Sequence, residues 1–528
     1  MSTLQIHEKI LNKLIEKKTY PGENDFATAI RKTAGSFNVA PPRKSELLVS
    51  YHNLVNKGRL AKNEMLESFL KKREIRTLSG VAPIAVLTKP FFCPGRCAFC
   101  PTEARMPKSY LSNEPAVMRA VLNRWDPYKQ VETRLRALKR NGHDTSKCEF
   151  IVIGGTWSFL PKRYQTWYIK RLFDGLNGFT SKSLQGAQKF NETAEHRAVG
   201  LCLETRPDYI TVDEVARMRH LGCTRVEIGL QTTNPKVLKL NKRGHGVETV
   251  RRATKLLRDA GFKISYHMMP NLPGATPEGD IQDFENLFSD PGLHPDMLKI
   301  YPCVVVKDAE IYDWWKKGTY TPYDQETLNA TLIECKKLIP EYVRVTRTIR
   351  DIPTTSIYAG NMKANLRQDI LETMKQQGTP CRCIRCREPR RDSASPEEAQ
   401  LVIQQYETLG GTELFISYEN KERTTLYGFV RLRLPKDPHP KIIKKLPDLK
   451  DAAIIRELHV YGAVSPINSG EGKVQHRGFG KKLMAEAEKI AQEHGYAHIA
   501  VISGIGVRQY YEKIGYHLAD TYMVKKLS

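Results

Sequence analysis

Apolar positions along the chain follow two rhythms. Between about residues 80 and 350, short apolar and β-branched runs lie at 81–88, 149–153, 198–203, 224–228, 262–267, 297–301 and 342–346. Stretches with an apolar residue every three to four positions separate them, at 128–141, 162–176, 211–221, 247–260, 277–289 and 325–339. The short runs predict strands and the longer ones amphipathic helices. Such alternation builds right-handed βαβ units on a parallel sheet. Repeated this often, it predicts a full or partial TIM-type barrel, with a doubly wound open sheet as the alternative. The polar stretch 178–197 reads as a long surface loop between two units.

The flanks have other patterns. Residues 1–75 are helical in rhythm and rich in basic pairs: Lys17-Lys18, Arg31-Lys32, Arg43-Lys44 and Lys71-Lys72-Arg73. Pro41-Pro42 opens a helix over 41–60, with Ser45 as its cap. Beyond 396, strands are predicted at 412–418, 424–433, 453–462 and 498–502, and an amphipathic helix at 478–494. The expected division is a basic helical unit (1–75), a barrel (76–375), a cysteine-rich linker (376–395) and a last α+β unit (396–528).

Charge and cysteine content narrow the setting. The 83 Lys and Arg against 58 Asp and Glu leave a formal charge of +25. A polyanionic partner follows, nucleic acid being the commonest. No run approaches the roughly 18 apolar residues of a membrane span, and Met1-Ser2-Thr3-Leu4-Gln5 opens no apolar signal segment. A cytoplasmic protein with no membrane contact is expected. Eleven cysteines in 528 residues, several in two tight clusters, suggest metal chemistry in a reducing compartment.

The first cluster, Cys93, Cys97 and Cys100, has C-x3-C-x2-C spacing and directly follows the first barrel strand. Three thiolates on one short loop can hold three irons of a cubane cluster. The fourth iron then stays open to bind and reduce a small molecule, whereas closed structural sites use four ligands. A structural zinc site is the alternative, yet such sites usually present two C-x2-C pairs. The spacing resembles the signature of radical S-adenosylmethionine (SAM) enzymes. Gly154 and Gly155, and Glu204 and Arg206, stand at the ends of later strands, where barrel enzymes place their chemistry. They are the candidate SAM-contacting residues. The second cluster, Cys381, Cys383 and Cys386, offers three thiolates for a structural zinc whose fourth ligand comes from elsewhere.

In the last unit, Gln475-His476-Arg477-Gly478-Phe479-Gly480 follows an apolar strand and opens a helix. Glycines there let a pyrophosphate approach free backbone N–H groups. Together with Tyr510-Tyr511-Glu512-Lys513-Ile514-Gly515-Tyr516 downstream, this order resembles the GNAT acyl-CoA-dependent N-acetyltransferases. Tyr511 is then the candidate general acid for a leaving thiolate. Glu457 and His459, on the flanking strand, could each act on substrate or water, or be buried hydrogen-bonded groups.

With both halves in view, the chain resembles the catalytic subunit of Elongator and its single-protein bacterial and archaeal relatives. The resemblance rests on Cys93–Pro101, 149–156, Glu204-Thr205-Arg206-Pro207-Asp208, 225–231, Arg350-Asp351-Ile352-Pro353 and 457–462. It implies a radical SAM partial barrel followed by a GNAT domain, and a product, 5-carboxymethyluridine, at the wobble position (U34) of tRNA. It implies a 4Fe–4S cluster on Cys93, Cys97 and Cys100. It also implies acetyl-CoA contacts at Lys147, Glu457, Leu458, His459, Val460, Phe479, Gly480, Lys481 and Tyr511, beside Gln475 and Gly478 of the glycine run. Zinc falls to the linker cysteines. The cluster spacing is short where some members carry insertions. The expected path abstracts a hydrogen from the acetyl methyl, adds the carbon radical to C5 of a flipped-out uridine, loses an electron and a proton to restore the ring, and hydrolyses the thioester. Partners implied are the tRNA anticodon stem-loop, an electron donor, and a second copy of the chain or Elongator-like accessory proteins. The rival reading is a histone-type lysine acetyltransferase with a structural cluster; a third is a non-catalytic tRNA scaffold.

Overall fold

The computed structural model describes residues 2–17, 19–71, 80–389, 398–461 and 478–527. Seven strands make the first sheet: β1 (Ala82–Leu87), β2 (Lys147–Ile153), β3 (Arg197–Thr205), β4 (Arg225–Gln231), β5 (Lys263–Met268), β6 (Met297–Ile300) and β7 (Arg344–Arg347). They pair in chain order, β1 to β7, and every pairing is parallel. Parallel neighbours need a crossover, and the helices Pro127–Arg140, Lys162–Asn177, Val212–His220, Val247–Asp259, Pro277–Ser289 and Gln325–Lys337 supply it. The sheet is a partial TIM-type barrel with β1 and β7 at its edges.

Period-two geometry sorts the side chains. On β2, Cys148, Phe150 and Val152 are buried against the helical layer. Lys147, Glu149, Ile151 and Ile153 alternate with them and face the lumen. On β4, Arg225, Glu227, Gly229 and Gln231 face inward in the same way. Charged residues inside apolar strands thus mark the lumen.

The stretch expected as a loop at 178–197 carries a helix, Leu184–Asn191, capped by Ser183, and ends at the first residue of β3. Its polar residues hid a short amphipathic helix: Leu184 and Ala187 enter the barrel core.

The second sheet comprises β8 (Gln400–Thr408), β9 (Gly411–Glu419), β10 (Leu426–Pro435), β11 (Ala452–Val460), β12 (His498–Val501), β13 (His517–Leu518) and β14 (Met523–Lys526). Its order is β13-β14-β12-β11-β10-β9-β8, and only β11–β12 is parallel. The helix Phe479–Glu493 buries Leu483, Met484, Ala487 and Ile490 on Ile416, Val430, Leu432 and Ile455. This is the expected α+β acetyltransferase architecture. The sequence reading missed β8, β13 and β14: β8 is largely exposed, and the others are short.

Four helices, Thr3–Glu16, Glu23–Gly35, Lys44–Asn56 and Glu64–Leu70, pack around Leu11, Phe26, Leu47, Leu48 and Leu66 in a core of their own. Tyr20, Phe26 and Phe69 form its ring cluster. Ser45 is not the cap. The Glu46 carboxylate accepts the Arg43 N–H at 2.9 Å, which starts the helix at Lys44.

The second sheet closes the barrel end where the strands begin. Arg431, Arg433 and Arg456 are at most 1% exposed. Arg456 donates to Phe262 O at 2.7 Å, Asp296 Oδ2 at 2.9 Å and Glu413 Oε2 at 2.9 Å. Arg433 reaches Asp259 Oδ1 at 2.8 Å and Glu413 Oε1 at 2.9 Å. Buried charges persist when paired this completely. From the barrel side, Arg219 donates to Ser503 O at 3.0 Å and Thr521 O at 2.8 Å. At Gly504 the backbones are so close that a Cβ would lie 2.2 Å from Val199 O. Only glycine fits there.

Candidate active site

A single cavity of about 1380 Å³ runs through the lumen. Cys93, Cys97 and Cys100 line it where the strands end. Lys147, Glu457–Tyr461, Gly478–Lys481, Tyr510 and Tyr511 line it where the strands begin. At about 3.3 Å per residue, the seven-residue β2 puts roughly 20 Å between the two ends.

The cysteine loop leaves β1 and is pinned by backbone bonds: Ala98 N to Asn241 O at 3.1 Å, and Ile311 N to Ala98 O at 3.2 Å. The Cys93 sulfur lies 3.6 Å from Thr156 Oγ1. Arg243 Nη1 points at Cys97 Sγ from 3.3 Å and Arg206 Nη1 from 3.9 Å. A hydrogen bond from Cys100, then the Arg243 charge, outweighs burial and draws the Cys97 thiol down to about 5; Cys100 is pushed up in turn. The site fits an anionic cluster. Three thiol ligands face one space, and a buried arginine with an unpartnered Nε stands beside them. Close by, Glu204 accepts from Tyr110 OH at 2.7 Å, and Lys108 donates to Gly95 O at 2.9 Å.

Of the other strand-end candidates, Gly155, Glu204 and Arg206 line the cavity. Gly154 lies behind it: a Cβ there would meet Thr88 Oγ1 at 2.2 Å, so this glycine lets β1 and β2 finish side by side.

At the far end, Glu457 is doubly engaged. It accepts from Lys263 Nζ at 3.0 Å and from Arg431 Nε at 3.0 Å. Burial opposes its ionisation, but Lys263 and Arg431 prevail and hold the carboxyl well below the usual range. His459 differs. Among the described residues its Nε2 is buried without a partner, its ring leans on Tyr461 at 4.4 Å between centroids, and burial lowers it to about 4, leaving a neutral imidazole. Lys147 is the first residue of β2, which begins two residues before the strand predicted at 149–153, and burial lowers its ammonium. Gly478 caps the following helix at φ 77°, in the left-handed region. Tyr511 is buried between Tyr510 and Tyr516, and burial raises its phenol. Gln475 lies outside the described residues, as do His476 and Arg477.

Between the ends the wall is charged. Arg225 lies 3.3 Å from Glu149, and Glu227 is held by His267 at 3.1 Å and by Lys299. Sequence reasoning missed Arg225, Lys263, Lys299, Arg243 and Tyr510. Lone charges within otherwise apolar strands were the available signal for the first three. Tyr510 stood in the quoted motif beside Tyr511 but was given no role; among the described residues its hydroxyl is buried without a partner, over Gly480, where a Cβ would lie 2.8 Å away.

Cys381, Cys383 and Cys386 bring their sulfurs within 4.8 Å of one another. Mutual hydrogen bonds draw the Cys383 thiol down. The donor set suits zinc, with no fourth His or carboxylate ligand grouped with it among the described residues. Ile384 and Arg385, between these cysteines, line the cavity.

Fold and site together define a radical SAM enzyme. The Radical SAM superfamily model matches residues 88–287, and the Radical_SAM C-terminal domain model matches 295–376. The chain is 45% identical over 461 residues to the tRNA uridine(34) acetyltransferase of Dehalococcoides mccartyi, covering 86% of this chain and all of that one. It is 38% identical over 536 residues to human Elongator complex protein 3, covering 98% and 96%. The solved structure of archaeal Methanocaldococcus infernus Elp3, lacking its first 46 residues, superposes with a TM-score of 0.75 at 42% identity, over 85% of this chain and 99% of that one. The chain belongs to the family of the tRNA uridine(34) acetyltransferases and Elongator complex protein 3. Among the described residues, no helix is long and apolar enough to cross a membrane.

Proposed function

We propose that the protein modifies the wobble uridine of tRNA, using acetyl-CoA and SAM to install a carboxymethyl group at C5 of U34. The observation that supports this most is the shared lumen. It joins the cysteine loop to the acetyltransferase-like sheet, which neither a lone acetyltransferase nor a structural cluster requires.

In this reading Cys93, Cys97 and Cys100 hold a 4Fe–4S cluster, and Gly155, Glu204 and Arg206 flank SAM. When bound, cluster and SAM supply a hydrogen-abstracting carbon radical. The protein's share is placement. Gly478, Phe479, Gly480 and Lys481 present backbone N–H groups and a cation to the coenzyme A pyrophosphate at a helix start. Leu458 and Val460 flank the pantetheine arm. The acetyl end then points into a lumen whose paired charges exclude bulk water. His459, neutral and unpartnered, holds and moves the proton of the water that hydrolyses the thioester. Glu457, committed to two cations, positions β11 instead of acting as a base. Tyr511 hands a proton to the departing thiolate, and Lys147 stands beside the thioester. Cys381, Cys383 and Cys386 hold a structural zinc that fixes the Ile384–Arg385 wall. The basic helices and the barrel grip RNA phosphates, with the base splayed into the lumen.

The test is anaerobic incubation of the cluster-loaded protein with SAM, reductant, acetyl-CoA and tRNA, then mass analysis of nucleosides. 5-Carboxymethyluridine is expected. A loaded protein that acetylates peptides, does so equally with Cys93, Cys97 and Cys100 replaced, and leaves tRNA unmodified points to the lysine acetyltransferase instead.

A further inference from the structure

Arg206 and Arg243 are 7% and 5% exposed. Burying two guanidinium groups at one short loop is costly unless anions answer them. Arg206 has its own: Asp208 takes Nε at 3.0 Å and Nη2 at 2.9 Å. Arg243 has none. Among the described residues no carboxylate pairs with it; Nη1 lies 3.3 Å from Cys97 Sγ, Nη2 is bonded to Gly229 O, and Nε is unpartnered. The backbone is shaped around both. A Cβ at Gly95 would lie 2.4 Å from Arg206 Nη1, and one at Gly229 would lie 2.6 Å from Arg243 Nη2. Arg206 also donates to Arg243 O at 3.0 Å, which ties the pair together.

We infer that Arg243, supported by Arg206, is a positioning residue that sets the reduction potential of the cluster on Cys93, Cys97 and Cys100. The inference rests on the cluster reading above. A reduced cluster carries one more negative charge than the oxidised one, so an unneutralised buried cation at a ligand sulfur stabilises the reduced form and raises the potential. Hydrogen bonds to cluster sulfurs act in the same direction. Arg206, neutralised by Asp208 and further from Cys97, contributes less.

The experiment is a redox titration of the reconstituted protein, without SAM or substrates, poised with titanium(III) citrate and followed by EPR of the reduced cluster. Iron and sulfide content are measured on each sample. R243Q is expected to lower the potential so that the reduced-to-oxidised ratio at a fixed poise falls about tenfold, which is ~59 mV for one electron. R206Q is expected to shift it the same way by less, and R243K to return it towards wild type. R206Q carries the comparison if R243Q holds less iron: a fully loaded R206Q at the wild-type potential then overturns the inference. A fully loaded R243Q at the wild-type potential overturns it and leaves the cluster reading intact. A wild-type protein that binds no cluster overturns both.

Discussion

Lys263 Nζ lies 3.0 Å from Glu457 Oε1, joining the first residue of β5 to the strand of the second sheet that faces the lumen. With Arg431 on its other oxygen, Glu457 is a structural link between the two halves and not a free base. E457Q leaves half-buried Lys263 and buried Arg431 short of this carboxylate. It is expected to cost about 3 kcal/mol of stability. Denaturant unfolding checks this, with K263M as the matched removal of one cation. An unchanged midpoint in E457Q contradicts the link.

Among the described residues, His459 Nε2 is buried in the lumen wall without a partner. H459Q keeps a polar side chain but loses the ring nitrogen. Thioester hydrolysis of acetyl-CoA is expected to fall by roughly 10²-fold, with KM little changed. E457Q, measured at a temperature where it is folded, is expected to lose far less. Equal losses would return Glu457 to the chemistry.

Histidine burial makes stability fall in acid. His294 is 7% exposed, bonded through Nδ1 to Tyr342 OH at 2.9 Å, and burial lowers it to about 4. An unfolded histidine titrates near 6.5. The unfolded chain therefore binds the extra proton first as pH falls. The contribution of His294 is complete above pH ~6.5 and is lost as pH drops towards 4, by about 3 kcal/mol. Thermal midpoints of wild type and H294N, measured from pH 7.5 to 4.5, are expected to converge as pH falls. Parallel curves contradict the assignment.

The linker cysteines are proposed to bind zinc. Purified protein is expected to carry zinc that C383S loses, with a lower unfolding midpoint in that variant or after chelation. Zinc content unaffected by C383S would move the metal elsewhere.

Arg31 and Lys32 are exposed on the second N-terminal helix. Binding of tRNA through phosphates predicts an affinity that falls steeply with salt, by about 10³-fold between 50 and 200 mM for six or more contacts. Charge reversal at both positions is expected to weaken all tRNAs alike and flatten the salt slope. A salt-insensitive affinity removes the RNA footprint.

Strand order and chemistry differed in how openly the sequence displayed them. Each barrel strand was legible because one face is buried on the helical layer and few polar residues interrupt the lumen face, which leaves a short apolar run. The cysteine loop was legible because its three ligands are contiguous. The edge strand β8 was not, since exposed Leu401 and Ile403 alternate with Gln400, Gln404 and Gln405 without a buried face to enforce a pattern. The pairing of Lys263 with Glu457 joins residues 194 apart in the chain, and only docking of the two sheets brings them together. The same docking puts Glu457 and Cys93 at opposite ends of one lumen. Barrel enzymes place their chemistry where the strands end; the candidate acetyl-CoA residues of the last unit instead line the lumen where the strands begin.

If the lumen is one reaction chamber, the cysteine loop and the acetyltransferase-like sheet act on one molecule. The most direct measurement supplies acetyl-CoA deuterated at the acetyl methyl to the cluster-loaded protein with SAM, reductant and tRNA. The 5′-deoxyadenosine formed is then analysed by mass. Deuterium in 5′-deoxyadenosine, dependent on Cys93, Cys97 and Cys100, is the predicted result. Unlabelled 5′-deoxyadenosine from a fully loaded protein that turns over SAM would contradict it.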